Sequence, residues 1–339
     1  MATVQQTTNE QLGNRRRSST HQTFIASKTV ANVLTKVKPT SSTRRLVDLP
    51  VTATIEQAFD LLLAEDILSI PVYRLDDLGK KVYVTIVGVL DLLKLLSQHT
   101  TDIVETNFFQ HQIKEAIGQT NESSRLVTVQ STDSLEDVIS LFSEHGAHRV
   151  LVNSNQGGQP TLLSQMDVIR YLQAHNHHLG KILDITVPSL VTASLVRRQQ
   201  RLGIQQQQEE EKIKSVTFKT TAMKAFEQMA NDPYISALPI VDDDDTLVGD
   251  LSPQDLRGLN KARLQDLAKP VLMFLKSRNG DLIEPFTCHH RFTLSQLMAS
   301  VVLRRAYRLW WIDQETGYIQ GVITLTDLLG SFLDPTLSS

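Results

Sequence analysis

Cysteine is all but absent: Cys288 is the single one in 339 residues. That excludes an internal disulfide and suits a reducing compartment. An excess of either charge is missing too. The chain has 34 Lys and Arg against 37 Asp and Glu, a formal net charge of −3, so nothing draws it as a whole to nucleic acid or to an anionic membrane. Long hydrophobic runs are lacking: one of the longest, Ile67 to Tyr73, is interrupted by Ser69 and falls far short of the thickness of a bilayer. No apolar stretch follows Met1, which argues against a secretory leader. The sequence contains no P-loop, dinucleotide fingerprint or protease motif. The expectation is a soluble intracellular protein, cytoplasmic or nuclear, with no catalytic centre and no resident cofactor. With 41% hydrophobic residues it has enough apolar surface for a large core and room for two or three domains.

What the sequence does hold is a repeat. Gly321-Val-Ile-Thr324-Leu-Thr-Asp327-Leu-Leu329 reads as a buried strand that breaks at Thr324 and restarts as a helix with Asp327 in its first turn. The same grammar recurs in Gly249-Asp-Leu-Ser252-Pro-Gln-Asp255, in Thr161-Leu-Leu-Ser164-Gln-Met-Asp167 and, more weakly, in Thr85-Ile-Val-Gly88-Val-Leu-Asp91. The four aspartates lie 76, 88 and 72 residues apart, the mark of a repeat architecture.

Each copy carries a helical apolar set at i, i+3, i+4 and i+7, the core face of an amphipathic helix. The sets are Ile55, Ala58, Phe59, Leu62; Leu135, Val138, Ile139, Phe142; Ala222, Ala225, Phe226, Met229; and Leu294, Leu297, Met298, Val301. The first residue of each set precedes its aspartate by 36, 32, 33 and 33 residues. A β-rich run follows each helix: Ser69 to Tyr73, Arg149 to Val152, Ala237 to Val241, and Arg308 to Ile312. Polar turns come next, at Asp76-Asp77 with Gly79, Asn155 to Gly158, Asp242 to Thr246, and Asp313 to Gly317. The four successive carboxylates from Asp242 read as a solvated hairpin tip rather than a cation site. The unit is therefore β-α-β-β-α, and there are four in an α/β (α+β) chain.

Residues 1–38 read as a polar, disordered tail, with an organellar transit peptide as the alternative, and with Val30, Val33, Leu34 and Val37 on one helical face near its end. Arg15-Arg16-Arg17-Ser18-Ser19 would suit a basic-directed protein kinase acting on Ser18 or Ser19. The repeats span 39–103, 120–180, 215–262 and 280–334, with a Gln/Glu-rich linker at 195–214 that divides the chain into two halves. A lone repeat buries too little surface, so repeats are expected to pair, and the halves to pair in turn.

A β-α-β-β-α unit ending in G-x-x-[ST]-x-x-D resembles the cystathionine-beta-synthase (CBS) domain. Four in tandem resemble the gamma regulatory subunit of AMP-activated protein kinase. Similar to that group are also Lys38-Pro-Thr-Ser-Ser42, Ala147-His148-Arg149, Ser236 to Asp242 and Tyr307-Arg308-Leu309. The resemblance implies two Bateman modules and AMP, ADP or ATP as regulatory ligands in clefts between repeats. It also implies a heterotrimer with kinase catalytic and beta scaffold subunits. The alternative is an interaction scaffold of the same fold with decayed ligand sites, as in fungal four-repeat CBS proteins linked to a protein phosphatase.

The chemistry of the junction supports a nucleotide site. A helix start presents unpaired N–H groups and a positive dipole end suited to phosphate. A first-turn carboxylate can accept ribose hydroxyls, and a hydroxyl three residues earlier can reach a phosphate. The candidate residues are Asp327, Thr324, Asp255, Ser252, Asp167, Ser164 and Asp91, with Arg308, His148 and Arg149 as cations. The pattern [ST]-x-x-D is equally a helix-capping signature, and both readings stand. Against the gamma pattern, Leu68 replaces an arginine, Gly88 a hydroxyl residue, Met166 a lysine and Tyr307 a histidine. Asp167 stands where animal gamma subunits lack the acid. The fourth junction is thus the best equipped and the first the most eroded. His175, His177 and His178 read as a solvated loop, and Cys288-His289-His290 lack a partner for nucleophilic work. Of Trp310 and Trp311, on opposite faces of a strand, one is expected in the core and one at a cleft or interface.

Overall fold

Among the described residues, twelve strands fall into four sheets of three, one per repeat. The computed structural model describes residues 19–39, 45–99, 107–153, 159–202, 213–232 and 235–337. Arg15 to Ser18, Thr40 to Ser42, the Asn155 to Gly158 turn and the run from Gln205 to Glu211 lie outside the described residues. Repeat one comprises β1 (Leu49–Pro50), β2 (Ser69–Leu75) and β3 (Lys81–Gly88); repeat two β4 (Thr128–Gln130), β5 (Arg149–Asn153) and β6 (Thr161–Ser164). Repeat three has β7 (Val216–Thr217), β8 (Leu238–Val241) and β9 (Leu247–Leu251); repeat four has β10 (Thr287–Cys288), β11 (Arg308–Ile312) and β12 (Ile319–Thr324). In every sheet the first strand runs parallel to the second, and the second antiparallel to the third. The parallel step needs a crossover helix and the antiparallel step only a hairpin. Helices Ile55–Ala64, Leu135–Ser143, Ala222–Asn231 and Leu294–Arg304 provide the crossovers.

Every residue of the four apolar helical sets is at most 1% exposed, as the i, i+3, i+4, i+7 spacing demands. Each crossover helix begins at a Ser or Thr whose hydroxyl accepts the N–H three residues on: Thr54 from Gln57, Ser134 from Asp137, Thr221 from Lys224 and Thr293 from Gln296.

The apolar surface is spent across the halves. One core joins repeat one to repeat three, through Phe59, Leu92 and Leu96 with Phe226, Met229 and Leu256. The other joins repeat two to repeat four, through Phe142 and Ile169 with Leu297, Met298, Leu328 and Leu329. Repeats adjacent in sequence instead touch through polar groups: Thr85 Oγ1 donates to the Ser123 carbonyl at 2.7 Å, and Arg308 pairs with Asp250 at 3.2 Å. Pairs that pair again are present, and each contact has its own chemistry.

Three stretches depart from the sequence reading. Residues 19–38, expected in a solvated tail, form helices Thr20–Ala26 and Val30–Val37, because Phe24, Ile25, Val30 and Val33 are buried in the core of repeats two and four. The helix Val187–Leu202 runs into the stretch read as linker and packs on repeat four, where Arg197 meets Asp334 at 2.8 Å. The junction of repeat three continues as a single 3-10 turn, Pro253–Leu256, instead of an α-helix. Arg257 leaves it at ψ 132 and Gly258 adopts φ +72. A side chain at Gly258 would come within 2.4 Å of Leu63 Cδ2.

Phe142→Ala removes a ring from the core shared by repeats two and four. It is expected to cost about 3–5 kcal/mol, read as a lower midpoint in urea unfolding. A midpoint unchanged within error would refute the shared core.

Candidate functional site

The four junctions are built alike down to the atom. Oδ2 of the junction aspartate accepts the backbone N–H three residues before it: Gly88 to Asp91 at 2.8 Å, Ser164 to Asp167 at 3.0 Å, Ser252 to Asp255 at 2.9 Å and Thr324 to Asp327 at 2.8 Å. Where a hydroxyl is present it bonds the same oxygen, from Ser164 at 2.7 Å, Ser252 at 3.2 Å and Thr324 at 2.7 Å. The aspartate's half of the capping reading holds at all four junctions and uses only one carboxylate oxygen, while the hydroxyl's half, accepting the N–H three residues on, is made by Ser164 and Thr324. Oδ1 is left to face whatever the tertiary structure brings.

A single cavity of about 2400 Å³ gathers the junctions of repeats one, two and four, well above the few hundred to a thousand Å³ of an ordinary small-molecule site. Asp91, Ser164, Asp167, Thr324, Asp327 and Ser252 line it, together with His148, Arg149 and Arg308. Asp255 does not. Its Oδ1 lies 4.0 Å from Arg278 Nε, both side chains largely buried, and burial raises the Asp255 pKa while it lowers that of Arg278. Of the ten candidate residues, nine border this cavity, and Asp255 turns to a structural partner.

The remaining oxygens are not idle. Asp91, 1% exposed, receives Ser123 Oγ on Oδ1 at 2.6 Å. Burial raises its pKa, opposed in part by the bonds from Ser123 and Gly88. Asp167 takes Lys38 Nζ at 3.0 Å on Oδ2, with Arg170 at 3.9 Å from Oδ1. Asp327 Oδ1 accepts Ser194 Oγ from the helix Val187–Leu202.

The cations are engaged as well. His148 Nδ1 lies 3.2 Å and Arg149 Nη1 3.6 Å from the carboxylate of Glu122. Burial alone would raise the Glu122 pKa, but the His148 charge, its hydrogen bonds and Arg149 outweigh it and hold the group at about 2. Arg308 directs Nη1 to Asp250 Oδ2 at 3.2 Å and Nη2 to the Ser236 carbonyl at 3.5 Å.

The sequence reading did not single out Glu122, Ser194 or Asp250. Glu122 had a faint signal, sitting in the first turn after a Thr120 cap. Ser194 had none, since it acts from a segment that resembles a linker. Asp250 had one: repeats one, two and four carry Ile86, Leu162 and Val322 at the same position before the junction.

Other features resolve as well. Trp310 is 2% exposed and Trp311 half-buried, and both border the cavity. Cys288 is buried in the core and its thiol is pushed up to about 12 by burial, which disables it as a nucleophile. His175 and His178 are not a free loop: their rings lie 5.7 and 4.9 Å from that of Phe24. Asp242 Oδ1 accepts the N–H groups of Asp244 and Thr246 at 3.0 and 2.8 Å, so the acidic run is a hairpin tip.

The sign of two pH effects follows. Glu122 is depressed in the folded state, so it contributes stability at neutral pH that is lost as pH falls from the ordinary glutamate range through about 2. Asp91 is raised, so its contribution is present in acid and lost as pH rises through its folded value. Glu122→Gln is expected to flatten the acid limb of stability between about pH 5 and 2, measured by urea unfolding at stepped pH. An equally steep limb in the variant would show that the His148 and Arg149 pairing contributes nothing.

Comparison with known proteins fits this geometry. The CBS domain family matches residues 122–174 and 210–260. A SNF1-related protein kinase regulatory subunit gamma-like protein of Arabidopsis thaliana is 26% identical over 346 residues, covering 87% of this chain and 93% of the relative. A 5'-AMP-activated protein kinase subunit gamma of Kluyveromyces lactis is 34% identical over 96 residues, 28% of this chain and 29% of the relative. The crystal structure of a protein from Methanocaldococcus jannaschii, 15% identical, superposes with a TM-score of 0.63 over 85% of this chain and 96% of its own, which shows the shared fold. The chain thus carries two matches to the CBS domain family and, along most of its length, is similar to a gamma-like regulatory subunit of a SNF1-related kinase.

Proposed function

We propose that this protein is a non-catalytic regulatory subunit of an AMP-activated-type kinase that binds an adenine nucleotide, AMP, ADP or ATP, in its central cavity. The observation that carries the proposal is that three junction carboxylates, each with one oxygen left over from capping, border one cavity together with His148, Arg149 and Arg308. A carboxylate oxygen and a neighbouring helix start suit a ribose and its phosphate respectively. The relatives' names, gamma and gamma-like kinase subunits, support membership of a kinase assembly, and the partners we infer there are catalytic and beta scaffold subunits.

Occupied and empty states would differ in function only through differential affinity for two arrangements of repeats or partners. The cavity is suited to that role. Its wall draws on both halves, so a ligand there touches Asp167 before the linker and Asp327 after it.

A second reading is favoured by one observation: Asp91 has both oxygens satisfied internally and no cation in contact among the described residues. On that reading the fold is an interaction scaffold whose ligand sites have closed, with a protein phosphatase as the partner class. Affinity purification separates the two: kinase catalytic and beta subunits support the first, phosphatase components the second.

Calorimetric titration of AMP and ATP into the full chain is expected to show binding below millimolar. Asp327→Ala should weaken it about tenfold or more, the loss of a charge-assisted hydrogen bond of roughly 1.5–3 kcal/mol. No binding of either nucleotide below millimolar would end the sensor reading.

A further inference from the structure

We propose that Asp250 is a specificity-determining residue of the fourth cleft: by neutralising Arg308 it makes the cleft take a nucleoside or nucleoside monophosphate in preference to a triphosphate. The inference rests on the nucleotide reading of the cavity and adds to it the charge of the ligand.

The argument starts within the chain. Asp250 sits on β9, two residues before the junction hydroxyl Ser252, where the other repeats carry Ile86, Leu162 and Val322. An acid there is peculiar to repeat three. Pairing with β8 sets it opposite Pro239, and its carboxylate reaches Arg308 on β11 of repeat four at 3.2 Å. The Arg308 and Asp250 side chains are 13% and 26% exposed, so solvent screens the pair only in part. The second guanidinium nitrogen faces the Ser236 carbonyl, also in repeat three. Arg308 thus carries its counter-charge with it, and a phosphate that recruits it must compete with Asp250. If the phosphate displaces the pair, Asp250 is left partly buried without its cation beside new negative charge, an arrangement that costs more than the pair gained.

Other cations that border the cavity also face carboxylates. Arg149 faces Glu122 at 3.6 Å and Lys38 faces Asp167 at 3.0 Å. Asp167 answers Arg170 as well as Lys38, and the Asp327 carboxylate adds a further negative charge to the cavity. A phosphate must draw such a cation away from the carboxylate it faces, and beside the fourth junction that cation is Arg308, held by Asp250. The sugar end of a ligand is treated differently. Asp327 Oδ1 already accepts a neutral hydroxyl, from Ser194, and a ribose hydroxyl can replace that donor without any change of charge. The cleft is thereby built to exchange neutral donors readily and to resist polyphosphate.

The test is magnesium-free calorimetry of the full chain with adenosine, AMP and ATP, in the wild type, Asp250→Asn, Arg308→Ala and the double variant. The wild type is expected to bind AMP about tenfold tighter than ATP. Asp250→Asn frees Arg308 and should tighten ATP by about tenfold, closing the gap. Adding Arg308→Ala should abolish that gain. A wild type that binds ATP as tightly as AMP, or an Asp250→Asn variant with an unchanged ratio, overturns the proposal while leaving nucleotide binding intact. Failure of all three ligands to bind any of the proteins overturns the nucleotide reading and this inference together. The wild-type ratio needs no variant, so it decides the matter even if Asp250→Asn does not fold.

Discussion

A carboxylate has two oxygens, and this structure depends on their being used for different things. In all four repeats Oδ2 of the junction aspartate accepts the backbone N–H that begins the next element. That bond fixes the turn from the last strand of each repeat, and so fixes where the acid stands. Oδ1 then points to a partner that differs at every junction: Ser123, Arg170, Arg278 and Ser194. Capping and ligand binding are not rival roles for such a residue. The first is what makes the second geometrically possible.

The division between apolar and polar contacts follows from the same design. Helical faces join repeat one to repeat three and repeat two to repeat four, and this is where the hydrophobic surface is buried. Repeats consecutive in the chain meet through hydrogen bonds and ion pairs, including Thr85 with Ser123 and Arg308 with Asp250. Polar contacts of that kind contribute modestly to stability and leave room between them. The cavity is bordered by residues of all four repeats, Arg308 and Ser252 among them.

Much of the fold was legible in the sequence, because hydrophobic periodicity depends on local geometry alone. The four helical sets, the β-runs and the strand-to-junction order were read from spacing. The strand Arg308–Ile312 falls on the stretch read for it, and Ser69 and Arg149 begin their strands as read. The misreadings came from segments whose order depends on distant surfaces. Residues 19–38 looked polar in composition, yet Phe24 and Ile25 found a core built 100 and more residues downstream. Pro253 fitted a first helical position, but Gly258 beside Leu63 of repeat one ends repeat three's junction after one turn.

For the site, the sequence by itself determined the candidates: the aspartates and their hydroxyls follow from residue type and local spacing, and the cations His148, Arg149 and Arg308 from the flanks that carry the resemblance. Only the tertiary structure decided who faces whom. Glu122 takes His148 and Arg149, Asp250 takes Arg308, Lys38 takes Asp167, and Ser194 takes Asp327. Those pairs are separated by 26, 27, 58, 129 and 133 residues of chain. A local pattern can place a charge on a strand or a helix start. It cannot report the counter-charge, because the distance that governs a Coulomb interaction is set by how the repeats pack and not by their order in the chain.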